Sequence, residues 1–242
     1  MQLPAPFRTH GDHLAIDLDG ATALFSTRRG GVSEGPFASL NIGRRTGDEG
    51  ERVDANRERL AAQVGVGWGR FARAIQVHET TVRRVTRIPR HDDPWEHADG
   101  QATALPRVPA LVFVADCLPI ALIARGAVAM VHAGWRGLAG GVVAEGVRAL
   151  ESDGSVRAVI GPGIGACCYE VGDDVRARFP AEAADGRHLD LKLAARRALE
   201  AAGVAEVHDA GLCTACHPEL FFSHRRDHGT TGRQAGVVWL RG

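Results

Sequence analysis

Short runs of β-branched and apolar residues recur along this chain, most of them closed by a charged residue, a histidine or a glycine. "TALFST", "RAIQVH", "TVRRVTRI", "ALVFVAD", "GAVAMVH", "RAVIG" and the terminal "AGVVWL" have the length and the Val, Ile, Thr and Phe content of strands. Elsewhere the apolar spacing changes to three and four, the period of a helix with one buried face. It does so in "VDANRERLAAQVG", where Asp48 or Asp54 would cap the start, and in "AGGVVAEGVRALES" and "VGDDVRARF". A fourth such segment, "LDLKLAARRALEAAGV", ends at Gly203. Strands and helices are interspersed, so the pattern predicts a mixed α and β domain. No repeat, low-complexity tract or Pro/Ser linker divides residues 1–242, which read as one domain; the polar stretch "PRHDDPWEHADGQAT" is the best candidate for a seam.

An apolar fraction of 45% is what a globular core requires. The 29 basic residues balance 29 acidic ones, so no global field recruits nucleic acid or an anionic membrane. Only Lys192 is lysine, and the wealth of Arg, Ala and Gly reads as base-composition bias rather than as a polyanion-binding surface. The opening "MQLPAPFRTH" has no basic and apolar leader pattern, and no run is long enough to cross a bilayer, which predicts a cytoplasmic protein. Five cysteines, an odd number, argue for reduced thiols rather than a disulfide framework.

Three of the expected strands end in a metal-ligand side chain: "AIQVH" at His78, "LVFVADC" at Cys117 and "AMVH" at His132. Strand ends from one sheet can converge on a shared crevice, and two imidazoles with one thiolate suit zinc, leaving a fourth position for a small molecule. The glycine-rich turns "HAGWRGLAGG" and "GPGIGA" expose backbone N–H groups where an anion is welcome. Arg136, and Arg28 or Arg29 in "TRRGG", would add planar forks for phosphate. Cys213 and Cys216 form a Cys-x-x-Cys pair, but with no second such pair they read as reduced spectators.

In full, the segments "STRRGGVSEGPFASLNIG", "NRERL", "QVHET", "ADGQAT", "ADCLPI", "VHAGWRGLAGGV", "IGPGIGACCYEVGDDV", "LDL" and "FFSHRRDHGTTGRQAGVVWL" resemble, in order, one family. Its members are variously called laccase-domain proteins, polyphenol oxidases, peptidoglycan-editing factors and zinc-dependent purine nucleoside phosphorylases. The resemblance implies an α+β fold, a single domain built as a four-layer α/β/β/α sandwich with mixed sheets. It places the metal on His78, Cys117 and His132, with zinc, or alternatively copper, as the ion. The implied activity is phosphorolysis of adenosine or inosine, extending to methylthioadenosine, with His78, Cys117, His132 and Arg136 catalytic and Arg28, Arg29 and Arg136 on phosphate. The implied partners are a purine nucleoside and phosphate. Hydrolytic deamination of adenosine is also ascribed to the family, although the His-x-Glu plus Pro-Cys-x-x-Cys deaminase signature is missing here.

Two departures stand out. Where the family has a His-containing stretch after "SLNIG", this chain reads "RRTGDEG", and Cys216 and His217 look peculiar to it. Three other readings compete. A copper-dependent polyphenol oxidase needs clustered copper sites, and the chain has no His-x-His. A hydrolase of cell-wall precursors would use Cys117 as nucleophile and His132 or His78 as base. A non-enzymatic editing protein would use zinc only as a brace.

Overall fold

The computed structural model describes residues 3–242. Its two large sheets stack face to face. The first joins β1 (Arg8–His10), β2 (His13–Leu18), β3 (Ala21–Phe25), β13 (Gln234–Leu240) and β6 (Ala110–Val114) in that order, every pair antiparallel. The second runs β12 (Glu206–Asp209), β9 (Arg157–Ile160), β7 (Leu118–Ala124), β8 (Ala127–Ala133), β5 (Gly100–Thr103) and β4 (Val82–Val85). It is mixed: β12 lies parallel to β9 and β4 parallel to β5, while the inner pairs are antiparallel. A two-stranded ribbon, β10 (Ala184–Asp185) with β11 (His188–Leu189), stands apart.

Apolar side chains explain the layering. Phe25, Val112 and Val238 of the first sheet pack on Ile123, Val128 and Met130 of the second. The outer face of the first sheet buries Leu24, Leu111 and Val237 against Leu60 of α1 (Gly50–Val64). The outer face of the second buries Ile120, Leu122 and Val131 against α2 (Trp135–Gly140), α3 (Val142–Ala149) and α5 (Leu191–Ala201). A single turn, α4 (Asp173–Arg176), lies between β9 and the ribbon. The result is a mixed α/β single domain in four layers, α/β/β/α. Burial of each large aliphatic side chain contributes roughly 1.5–3 kcal/mol.

Several local expectations change. β7 and β8 are buried at every position because both faces are covered, so they read as continuous apolar runs rather than alternating ones. Pro119 concealed β7, yet it is tolerated: β9 pairs only from Ile120 onward, and the Pro119 carbonyl accepts from the Gly161 N–H at 2.9 Å. "RAIQVH" is not a strand; it makes one isolated bridge, Ile75 with His97. Asp54 lies inside α1 and caps nothing, and Asp48 instead accepts from the Glu49 N–H at 2.9 Å and the Ser33 hydroxyl at 2.6 Å. α5 is capped as such helices usually are, the Asp190 carboxylate accepting from the Leu193 N–H at 2.9 Å. "PRHDDPWEHADGQAT" is no seam: its Ala98 and Asp99 are buried, and it runs directly into β5. Among the described residues no helix is long and apolar enough to cross a membrane, and all five cysteines are free of disulfides.

Candidate metal centre

His78, Cys117 and His132 come from three different structural settings. His132 is the penultimate residue of β8, and Cys117 sits in the link that carries the chain from β6 in the first sheet to β7 in the second. His78 is not at a strand end. It occupies a left-handed bend, φ +62°, on the irregular path to β4. Their ligand atoms nevertheless all lie within 4.8 Å of one another, and the two imidazoles meet edge to face with centroids 4.9 Å apart.

Asp99, fully buried at the start of β5, makes this convergence possible. Its carboxylate accepts from three successive backbone N–H groups, Val77 at 3.1 Å, His78 at 2.9 Å and Glu79 at 2.8 Å. Those bonds hold the His78 bend, a conformation that costs a non-glycine residue about 1–3 kcal/mol unless the surroundings fix it. The same carboxylate lies 2.7 Å from His132 Nδ1, which leaves Nε2 to face Cys117. One buried carboxylate thus orients two of the three candidate ligands.

Asp116, beside Cys117, is also in the left-handed region at φ +88°. It is held there by the Thr214 hydroxyl, donating at 2.6 Å, and the Arg225 N–H, donating at 2.7 Å. Across the site a glycine is needed at position 134: a Cβ there would meet the Cys117 sulfur at 3.0 Å and the His78 ring at 3.2 Å. Burial alone would raise the Cys117 thiol, but the charge and hydrogen bond of His132, with His78 behind them, hold it down to about 6. Burial likewise opposes a charge on His132, yet the Cys117 thiolate and Asp99 lift it to about 9. Each shift favours the charged form of its group, a thiolate beside an imidazolium. With two imidazoles, a ready thiolate and a carboxylate behind one histidine, the residues fit a metal ion.

The three face a cleft of about 770 Å³, the size of a small-molecule site. Its wall carries the arginines Arg44, Arg45, Arg57, Arg136, Arg225 and Arg233, although the whole chain is neutral. Asp116 is the single carboxylate among the described lining residues, so the field in the cleft favours anions. Arg136, exposed, stacks its guanidinium 4.4 Å over the Trp135 ring and makes no hydrogen bond to a described residue. Trp95 and Phe113, both on the cleft wall, stack on each other nearly parallel, 14° apart with centroids at 5.9 Å, and the Arg57 guanidinium lies over both rings.

Arg28 and Arg29 do not reach the cleft. Arg28 donates to the carbonyls of Ala38 at 2.6 Å and Pro218 at 3.0 Å, and Arg29 to that of Glu219 at 3.1 Å, so their forks tie loops together. The segment "RRTGDEG", noticed only as a departure, supplies Arg44, Arg45 and Thr46 to the wall instead. Asp99 escaped sequence reasoning too. The Cys213/Cys216 pair does not stand alone either: it meets Cys167 and Cys168, the four ligand atoms lying within 4.8 Å of one another.

The model of the family described as multi-copper polyphenol oxidoreductase laccase matches residues 22–241. Purine nucleoside phosphorylase YlmD of Geobacillus stearothermophilus is 39% identical over 253 residues, covering 92% of this chain and 91% of that one. Purine nucleoside phosphorylase YfiH of Escherichia coli is 38% identical, covering 91% and 94%. Among solved structures, YlmD from Geobacillus stearothermophilus superposes with a TM-score of 0.90 at 36% identity, over 99% of this chain and 100% of that one. The Bacillus licheniformis hypothetical protein YfiH gives 0.89 at 34% identity, over 98% and 100%.

Proposed function

The chain belongs to the multi-copper polyphenol oxidoreductase laccase family, and from that premise we propose that it is a zinc-dependent purine nucleoside phosphorylase acting on adenosine and inosine, with methylthioadenosine as a further substrate. One observation carries the reading beyond the names of the relatives. A single cleft joins a His-Cys-His ligand set to an arginine-lined wall and the aromatic side chains Trp95, Phe113, Trp135 and Tyr169. Phosphorolysis needs all three: a centre of positive charge, a holder for phosphate, and a platform for a purine.

His78, Cys117 and His132 would hold zinc, which when bound supplies a Lewis acid able to polarise a substrate oxygen. Arg136 and Arg45 hold phosphate against the sugar, where their charge also opposes its escape into water. The aromatic side chains of the cleft wall pack against the base. As the glycosidic bond breaks, negative charge grows on the departing purine, and His224, which also lines the cleft, donates to it. Cleavage then leaves free base and ribose 1-phosphate. Deamination of adenosine at the same centre would be a side reaction, read as ammonia release.

Two other readings compete with this one. Among the described residues only one histidine-bearing cluster has metal-ligand geometry, which argues against a polyphenol oxidase with several copper sites. A cysteine hydrolase has a specific observation in its favour, since Cys117, His132 and Asp99 line up as nucleophile, base and orienting carboxylate. His78 weighs against it: a hydrolase has no use for a second imidazole pressed on the same thiol, whereas a metal does. The test is product identity. Purified protein given inosine should yield hypoxanthine and ribose 1-phosphate in equal amounts only when phosphate is present. Hypoxanthine and free ribose without phosphate would replace phosphorolysis with hydrolysis.

A further inference from the structure

The cysteines outside the cleft form a cluster of their own. Cys167 and Cys168 lie on the loop after β9, and Cys213 and Cys216 on the loop after β12. Those strands are parallel neighbours, so both loops leave the sheet from the same end. Their pairing continues past the strands: Gly163 bridges to Cys213, and the Thr214 N–H donates to the Gly163 carbonyl at 3.0 Å.

The sulfur of Cys216 is 3.5 Å from those of both Cys167 and Cys168, and all four sulfurs lie within 4.8 Å of one another. A tetrahedral zinc with Zn–S bonds of about 2.3 Å spaces its sulfurs about 3.8 Å apart, within that range. A disulfide would bring two sulfurs to about 2.05 Å. An iron–sulfur cube would hold the four further apart than they are. The backbone is shaped to the sulfurs as well. The Gly165 N–H donates to the Cys213 sulfur at 3.1 Å, and a Cβ at position 165 would meet the Cys167 sulfur and the Cys213 Cβ at 3.2 Å.

We propose that Cys167, Cys168, Cys213 and Cys216 bind a second zinc ion in a closed, all-cysteine site that clasps the β9 and β12 loops to each other. The clasp bears on the cleft through its flanks. Ile164 and Tyr169, on either side of Cys167 and Cys168, line the cleft. Thr214, next to Cys213, holds Asp116, the neighbour of Cys117. Four thiols lose their protons as the ion binds, and zinc stays divalent throughout. The proposal stands whether or not the cleft performs phosphorolysis.

The test is a metal count on protein purified under reducing conditions, in wild type, Cys117→Ser and the double variant Cys168→Ser/Cys216→Ser. Wild type should hold about two zinc ions per chain and each variant about one. Cobalt substitution of wild type should give a strong sulfur-to-metal charge-transfer band, most of which the double variant loses while Cys117→Ser keeps it. Should the double variant not fold, zinc-edge X-ray absorption of wild type decides: sulfur should outnumber nitrogen around the averaged zinc, which the single thiolate of the first cluster could not supply. An unchanged zinc content in a folded double variant overturns the proposal. So does rapid alkylation of the four in zinc-replete wild type, or disulfide-linked peptides among them in freshly purified protein.

Discussion

The two clusters differ in ligand count and in the charge they would give a bound ion, the difference expected between a reactive centre and an inert one. At His78, Cys117 and His132, one thiolate and two neutral imidazoles would leave a divalent ion with net positive charge and an open side toward an arginine-lined cleft. At Cys167, Cys168, Cys213 and Cys216, four thiolates would give the same ion a net charge of about −2 and close its coordination. Their supports differ to match. Asp99, a buried carboxylate, fixes the His132 ring and the His78 backbone of the first cluster, whereas a backbone N–H serves the second. Positive, open and rigidly aimed is what anion chemistry needs; negative and saturated is what a clasp needs.

The largest way to break this contrast is through Cys117. Cys117→Ser should lower phosphorolysis by about a thousandfold or more and remove the first ion while leaving the second. Steady-state rates beside a metal count check it, and an equal loss from Cys168→Ser/Cys216→Ser in folded protein would erase the distinction.

The metal-free thiols should differ next. A thiol whose value falls to about 6 is ionised above that pH and loses reactivity as pH falls through it, so Cys117 should alkylate readily at pH 7.5. Burial and the neighbouring Cys216 push Cys167 up to about 11, and hydrogen bonding with Cys168 pushes Cys216 equally high, so both stay protonated until strongly alkaline pH. In chelated protein at pH 7.5, Cys117 should react at least about a hundredfold faster than Cys167 or Cys216. Mass mapping across pH reads the ratio.

Asp99→Asn keeps the shape but weakens the hold on His132 and on the His78 bend. Zinc affinity at the first centre should fall about 10–100-fold, measured by chelator competition, with the second centre unmoved. The smallest expected effect is at Arg136. Arg136→Ala should raise the phosphate KM about tenfold with Tm unchanged, because the exposed guanidinium packs on Trp135 without holding the fold, and Arg136→Lys should recover part of the loss.

The three converging residues, His78, Cys117 and His132, were legible in the sequence, because each stands in a distinctive local motif. Their supports were not. Asp99 looks like any aspartate in a polar loop until β5 is seen to pair with β8 and bring it under His132. Arg45 and its neighbours were hidden by a composition in which arginine is nearly the sole basic residue. The second cluster needed topology: an adjacent Cys–Cys pair and a Cys-x-x-Cys pair reveal nothing of each other until β9 and β12 prove to be parallel neighbours. β7, carrying Pro119 and lacking alternation, was lost for the opposite reason, since full burial removes the polar face that marks a strand.

The most direct measurement is nucleoside turnover by protein stripped of metal and then restored with zinc, with phosphate present throughout. Stripped protein should release no adenine or hypoxanthine, zinc should restore release, and iodoacetamide applied to the stripped form should block restoration by capping Cys117. Metal-free protein turning over nucleoside as fast as the zinc form, or a covalent substrate adduct on Cys117, would contradict a metal centre and make Cys117 the nucleophile of a hydrolase.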